Sequence, residues 1–323
     1  MSTRVKMTNP VVNGIDDSKK DKTKVKSDPG LLKSYIAALR PWSFTASFTP
    51  VALGSTLAYK SDQNFSFLVF VIAVLTALSV HAAGNLVNTY FDYIRGIDNK
   101  SSDDRTLVDH VLEPSVVSRM GAVFYSLGCL GFLTLAVASE AKMEHLAVMY
   151  FGGLSSSFLY TGGLGLKYIA LGDLLIFFTF GPLTVMFAFL SQTGKLTMIP
   201  VLYALPLALN TEAILHSNNT RDMDSDQRAG IVTMAILLGR TGSYTFFTML
   251  IFLPFFIFAL MGMHYSLWML LPMLCIFEAF NVERDFRNDT LKGLPQRVAK
   301  MNLILGILYT VGCMLADKSA FSF

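Results

Sequence analysis

Apolar stretches long enough to cross a bilayer recur along most of this chain, and that recurrence limits it to one kind of fold. About 20 mostly apolar residues span a hydrocarbon core of about 30 Å. Inside that core every backbone N–H and C=O must be satisfied by the chain itself. Such runs fall at about 42–60, 66–94, 116–138, 144–162, 168–191, 197–220, 241–262, 265–282 and 298–316. A shorter run at 231–239 cannot span and is expected to form a cap helix over one face. Charged residues make up only 15% of the chain, where a soluble domain carries about a quarter. The expected fold is therefore all-α, a multi-pass membrane protein of about nine transmembrane helices. Residues 1–30 hold seven Lys/Arg and four Asp, which accounts for the net charge of +3 and leaves nothing that argues for nucleic acid. They are expected to be a disordered tail, with 31–323 forming one membrane domain that opens on a short amphipathic interfacial stretch, Leu31 to Arg40. Cys129, Cys275 and Cys313 lie in apolar runs without metal spacing and read as packing residues. No secretory signal is visible, so the first spanning helix is expected to act as the targeting signal.

The positive-inside rule orients the bundle. With a cytosolic tail, the loops 95–115, 163–167, 221–240 and 283–297 face the cytosol. They hold Arg95, Lys100, Arg105, Lys167, Arg221, Arg228, Arg284, Arg287, Lys292 and Arg297. The opposite side holds Lys60, Lys142 and Lys195, with Lys318 at the C-terminus.

The second and sixth runs then both end at the cytosolic face, and both end in Asn/Asp clusters. Asn85, Asn88 and Asp92 are spaced i, i+3, i+7, and Asn218, Asp222 and Asp226 are spaced i, i+4, i+8. Each set projects from one helical stripe. Asp98, Asp103 and Asp104 follow the first. An Asp at mid-membrane costs roughly 2.5–3.5 kcal/mol on insertion scales, so such residues face a cavity or one another. Converging carboxylates repel unless a cation lies between them. An oxygen-only donor set without His or Cys favours Mg²⁺ or Mn²⁺. Two clusters would hold two such ions around a diphosphate, with Arg40, Arg105, Lys167, Arg221 and Arg228 offsetting the rest of its charge. Arg40 and Lys167 suit the role of positive-inside anchors equally well. His81 and His216 read as helix-packing hydrogen bonds rather than ligands, Gly152-Gly153 as close helix packing and Gly162-Gly163 as a loop. A cation transporter using the acidic residues is the non-enzymatic alternative. The placement of both clusters at one face beside basic residues argues against it.

The run Asn85-x-x-Asn88-x-x-x-Asp92, with Gly96-x-Asp98 and Arg105-Thr106 downstream, resembles the UbiA superfamily of intramembrane aromatic prenyltransferases. Within it the match is to the naphthoate branch, which has Asn where the hydroxybenzoate branch has Asp. Asn218-Asn219-x-Arg221-Asp222-x-x-x-Asp226-x-x-x-Gly230 matches the same branch. Leu39-Arg40-Pro41-Trp42-Ser43, Tyr160-Thr161-Gly162-Gly163, Leu166-Lys167-Tyr168 and Leu294-Pro295-Gln296-Arg297 extend the resemblance over roughly 35–316.

The resemblance implies nine transmembrane helices around a central cavity capped on the cytosolic side. It puts Asn88, Asp92, Asn218, Asp222 and Asp226 at metal or diphosphate positions, and Arg40, Arg105 and Lys167 near the diphosphate. It implies geranylgeranyl diphosphate as donor, a menadione-type naphthoquinol as acceptor, menaquinone-4 (vitamin K2) as product and Mg²⁺ as cofactor. It further implies endoplasmic reticulum and Golgi membranes, with mitochondria reported for the group, and a sterol-pathway reductase as partner. The expected chemistry is ionisation to an allylic cation. Asn88, Asp92, Asp222 and Asp226 act at the diphosphate, and Arg221 and Tyr160 complete the substrate site. Tyr160 and Phe158 offer aromatic faces to the cation. Asp98 is a candidate base, with the released diphosphate as the alternative. The acceptor must be reduced before it is nucleophilic, and no dinucleotide fingerprint in this chain supplies the reductant. A naphthoate or hydroxybenzoate polyprenyltransferase with another donor is the alternative enzyme.

Overall fold

The computed structural model describes residues 30–62, 65–98, 104–318 and 321. The expected tail lies outside the described residues apart from Gly30, as do Lys100 and Asp103. Among the described residues the fold is helical, with no strand and a single parallel bridge, Ile169 to Val232.

Helix α1, Leu31–Ala38, stops at Arg40, whose left-handed backbone (φ 51°) turns the chain into a 3₁₀ turn, Pro41–Phe44. That conformation costs an L-residue roughly 1 kcal/mol or more, so surrounding contacts must hold it. Helix α2 is Thr45–Asp62. Helix α3, Phe67–Ile94, starts where the Ser66 hydroxyl accepts the Val69 N–H. Helix α4 is Pro114–Ala138, with proline in the first turn, where its missing N–H has no partner to lose.

The next stretch is broken. Helix α5, Met143–Ala147, runs into a π-helical turn at Val148–Gly153, a 3₁₀ turn at Leu154–Ser156 and helix α6, Ser157–Thr161. A 3₁₀ turn, Leu166–Tyr168, leads to helix α7, Gly172–Phe178, a second π turn, Thr179–Leu183, and helix α8, Thr184–Thr193. Helix α9 is Ile199–Arg228. Helix α10, Met234–His264, is interrupted by Gly239 (φ 65°, ψ 178°). A 3₁₀ stretch, Leu267–Cys275, joins helix α11, Ile276–Arg287, and helix α12, Leu294–Leu315, ends the bundle.

Each of the nine expected spans is thus a helical tract, and the run at 231–239 is the start of α10, set off from its span by Gly239. Six tracts are long and apolar enough to cross a membrane by themselves: Phe67–Ile94, Pro114–Ala138, Gly172–Thr193, Ile199–Arg228, Met234–His264 and Leu294–Leu315. The other three fall short for local reasons. Helix α2 is only 18 residues and rich in Ser and Thr, 143–161 is broken by π and 3₁₀ turns, and α11 carries Glu278 and Glu283.

Helices α3 and α9 have 28 and 30 residues. At 1.5 Å per residue they reach roughly 42 and 45 Å, beyond the ~30 Å core. Their polar last turns can therefore extend past the hydrocarbon. Two apolar cores flank them. One centres on Phe247, Phe258 and Tyr309 between α2, α9, α10 and α12, and the other on Leu146, Tyr150 and Phe187 beside α2, α3 and α8. Helix α2 joins the two because Gly54 lets α8 approach: a Cβ there would lie 2.3 Å from the Val185 carbonyl oxygen. Gly54→Val should therefore lower the melting temperature of the detergent-solubilised protein by the equivalent of about 1–3 kcal/mol. Gly152→Ala, where a Cβ meets nothing within 4 Å, should not. Size-exclusion recovery after heating measures both.

Candidate active site

The end of α3 supplies the first half of the site. Asp92 is buried, and its carboxylate accepts Lys167 Nζ at 2.6 Å and the Tyr168 hydroxyl at 3.0 Å. Lys167 also reaches Asn88 Oδ1 at 3.4 Å. The loop that carries Lys167 turns through Gly165 (φ 61°) and is tied by backbone to the chain beyond α9. Ala170 N–H donates to Val232 O at 2.7 Å, Val232 N–H to Tyr168 O at 3.2 Å, and Ile231 N–H to Asp226 O at 2.9 Å. The cation of the first cluster and the end of the second are thus held by one short backbone path.

Arg40 closes the opposite side. Its guanidinium pairs with Asp104 and donates to Thr89 Oγ1 at 3.3 Å, while Thr89 donates to Asp104 at 2.6 Å. Burial by itself would raise the Asp104 carboxyl; Arg40, Thr89 and the Thr106 N–H hold it well below the usual carboxylate range. Asp98 has no such donors among the described residues. Burial, together with the charges of Asp92 and Asp104, pushes it up to about 7.

The second half stands on α9. Arg221 donates to both oxygens of Asp222, at 2.8 and 2.7 Å, and to Asn218 Oδ1 at 2.8 Å. Asp226 is buried, yet its carboxylate has no hydrogen-bond or ion-pair partner among the described residues.

These groups line a polar cavity of about 460 Å³ that brings together Asn88, Asp92, Asp98, Asn218, Asp222, Asp226, Arg40, Arg105, Lys167 and Arg221. A second cavity, about 150 Å³, has apolar walls from Ala46, Ile176, Phe180, Ile214 and Leu215, with Tyr160 among its polar lining. Arg40, Trp42, Asn88, Lys167 and Asn218 line both, so the two chambers meet at the two clusters.

Some expected residues sit elsewhere. Asn85 donates to Leu39 O at 2.9 Å and Ser43 Oγ at 3.0 Å, so it braces the 3₁₀ turn and lines only the apolar chamber. Arg105 lines the polar cavity but pairs with Asp109 at 2.6 Å. Arg228 is exposed and lines neither chamber, and Phe158 packs on Tyr125. His81 lies between the hydroxyls of Ser43 and Ser47, and His216 faces the Ser243 carbonyl. Sequence reasoning missed Tyr168, whose one signal is its place beside Lys167, and also Thr89, Asp173 and Glu212.

The donor set suits Mg²⁺. Five carboxylates line the polar cavity (Asp92, Asp98, Asp104, Asp222 and Asp226) against four cations, one of which is turned toward Asp109. Asp226 is a buried oxygen donor with no direct ion-pair partner among the described residues. Among the described residues no three His, Cys, Asp or Glu side chains lie close enough to cage an ion by themselves. That fits a Mg²⁺ site completed by substrate phosphate and water rather than an all-protein cage. Lys167→Met should destabilise the fold by about 3–5 kcal/mol, because it strands the Asp92 charge. Adding Asp92→Asn should restore most of the lost melting temperature; a double variant no more stable than Lys167→Met would contradict this.

The UbiA prenyltransferase family model matches residues 47–304. Human UbiA prenyltransferase domain-containing protein 1 is 56% identical over 287 residues, covering 89% of this chain and 85% of the relative. Its Drosophila melanogaster homolog is 58% identical over 290 residues, covering 89% and 81%. Among solved structures, an apo UbiA homolog from Aeropyrum pernix superposes with a TM-score of 0.63 at 15% identity, over 85% of this chain and 97% of that one. The Archaeoglobus fulgidus homolog bound to GPP and Mg²⁺ gives 0.55 at 14% identity, over 87% and 99%. At such identities the structures share the fold, and the closer relatives and the family match carry the assignment: the chain belongs to the UbiA prenyltransferase family and is a membrane prenyltransferase.

Proposed function

We propose that the protein transfers a geranylgeranyl group from its diphosphate to a reduced menadione-type naphthoquinone, giving menaquinone-4 (vitamin K2). The observation that carries this reading is the junction of the chambers: a charged cavity bearing both clusters opens, at Asn88, Lys167 and Asn218, onto an apolar one. A prenyl diphosphate has the same division into an anionic head and an apolar tail. Lys167, Arg40 and Arg221 line the charged cavity and would donate to the diphosphate oxygens. Two Mg²⁺ ions, held by Asn88 and Asp92 on one side and Asn218, Asp222 and Asp226 on the other, would supply further positive charge against the departing diphosphate. A bare cation carrier fits less well, because Asp92, Asp104 and Asp222 already have cationic partners that would repel a metal arriving without an anion.

Once the C–O bond ionises, the chain's task is to keep water from the allylic cation and to offer it electron-rich faces. Tyr160, in the apolar chamber, is placed for the second task, and Ile176, Phe180, Ile214 and Leu215 for the first. The naphthoquinol carbon then attacks, and a separate reductant must have prepared it. The Asn at the first-cluster position Asn88 and its neighbour Asn85 support the naphthoquinone branch over the hydroxybenzoate branch. The same reading puts the N-terminus in the cytosol, the protein in endoplasmic reticulum and Golgi membranes, with mitochondria as a further site, and a sterol-pathway reductase beside it.

Purified protein incubated with geranylgeranyl diphosphate, reduced menadione and Mg²⁺ should yield the prenylated quinol by mass. EDTA should stop the reaction, and Asp92→Ala or Asp226→Ala should each cost at least about 100-fold in turnover without unfolding the protein. Product from hydroxybenzoate but not from reduced menadione would overturn the acceptor assignment. Full turnover in either variant would overturn the two-cluster site.

A further inference from the structure

Beside the apolar chamber lies a buried polar group that diphosphate binding does not use. Glu212, His216 and Asn219 are spaced i, i+4, i+7 on α9, and the same stripe continues to Asp226 seven residues further on. They meet Asp173 in the first turn of α7. Asn219 Nδ2 donates to Asp173 Oδ2 at 3.5 Å, His216 Nδ1 lies 3.8 Å from Asp173 Oδ1, and Glu212 adjoins Asp173. Glu212 is 2% exposed and Asp173 5%. Neither Glu212 oxygen, nor Asp173 Oδ1, has a hydrogen-bond partner among the described residues. Among the described residues no Lys or Arg pairs with either carboxyl, and His216 and Tyr160 are the titratable groups that face the pair. His216 Nε2 lies 3.2 Å from the Ser243 carbonyl, which only accepts.

Asp173 and Glu212 are thus two buried acids with unused acceptor oxygens beside the chamber. Tyr160 adjoins both the reaction chamber and the turn that carries Asp173. It lines that chamber, and its ring edge packs on Gly172, where a Cβ would lie 2.7 Å from Cε2, directly beside Asp173. Asp98, by contrast, lines only the polar cavity.

We propose that Asp173 and Glu212 are the proton acceptor of the prenyl transfer, reached from the chamber through the Tyr160 hydroxyl. The proposal rests on the aromatic-acceptor reading above and not on which aromatic ring is used. The allylic C–O bond breaks and its electron pair leaves with the diphosphate. The ring carbon attacks the cation and a C–C bond forms. The ring C–H bond then breaks, its electrons restoring aromaticity. The proton passes to the Tyr160 oxygen while the Tyr160 proton moves to the carboxylate of the pair. A carboxyl of the pair thus ends protonated as the product forms.

The test uses the full-length protein and an acceptor deuterated at the reacting ring carbon. Glu212→Gln and Asp173→Asn should retain the melting temperature and the binding of a non-hydrolysable thiodiphosphate donor analogue. Each should lose roughly 100-fold or more in turnover. In each, ring deuteration should slow turnover where it leaves the unsubstituted protein unaffected, and Tyr160→Phe should behave the same way. Unchanged turnover in both carboxyl variants would overturn the proposal. So would a loss of turnover that tracks lost donor binding without an isotope effect, since that marks a structural role. Failure of the unsubstituted protein to prenylate any aromatic acceptor would overturn the functional reading itself, and is recognised because it precedes any substitution.

Discussion

The Lys167–Asp92 ion pair is the contact on which the rest of the site depends. A carboxylate at the end of a membrane helix is costly unless it is matched, and here the match comes from another part of the bundle. The cation is delivered by a turn that is itself tied, through Ala170, Val232 and Ile231, to the last turn bearing Asp226. The two halves of the chain are thereby fixed relative to each other at the point where their polar ends converge. Arg40 repeats the device with Asp104 and Thr89, and its contacts hold the left-handed backbone that ends the interfacial helix. Arg221 does so within α9. What remains over is an excess of oxygen donors, chiefly Asp226 and Asp98, and that excess suits a divalent cation arriving with a diphosphate.

Much of this was legible in the sequence because charge at the ends of long apolar runs is rare enough to be informative. Asn88, Asp92, Asn218, Asp222 and Asp226 could be placed from helical spacing and a common face, and they do line one cavity. Spacing failed for Asn85, which shares their stripe on paper but lies a turn deeper, where the 3₁₀ turn after Arg40 takes its side chain. Partners far apart in the chain were also hidden: Arg40 and Asp104 are 64 residues apart, and no periodicity links them. The π turns at Val148–Gly153 and Thr179–Leu183 leave hydropathy unchanged while shifting which residues face inward. Glu212 was missed because its significance comes from Asp173, which lies on a different helix.

The two chambers divide the chemistry. On the proposed reading, the polar cavity takes the charge that leaves, and the apolar chamber takes the cation that stays and the ring that captures it. Prenyl transfer by this arrangement requires that both clusters grip one diphosphate at the same time. The most direct measurement is anomalous scattering from crystals grown with Mn²⁺ and a geranylgeranyl thiodiphosphate. Metal peaks within reach of Asn88 and Asp92 on one side and of Asp222 and Asp226 on the other, with the diphosphate between them and the chain running past Tyr160, are the predicted result. A diphosphate bound outside this cavity, or metal at one cluster alone with the other left to solvent, would contradict the account.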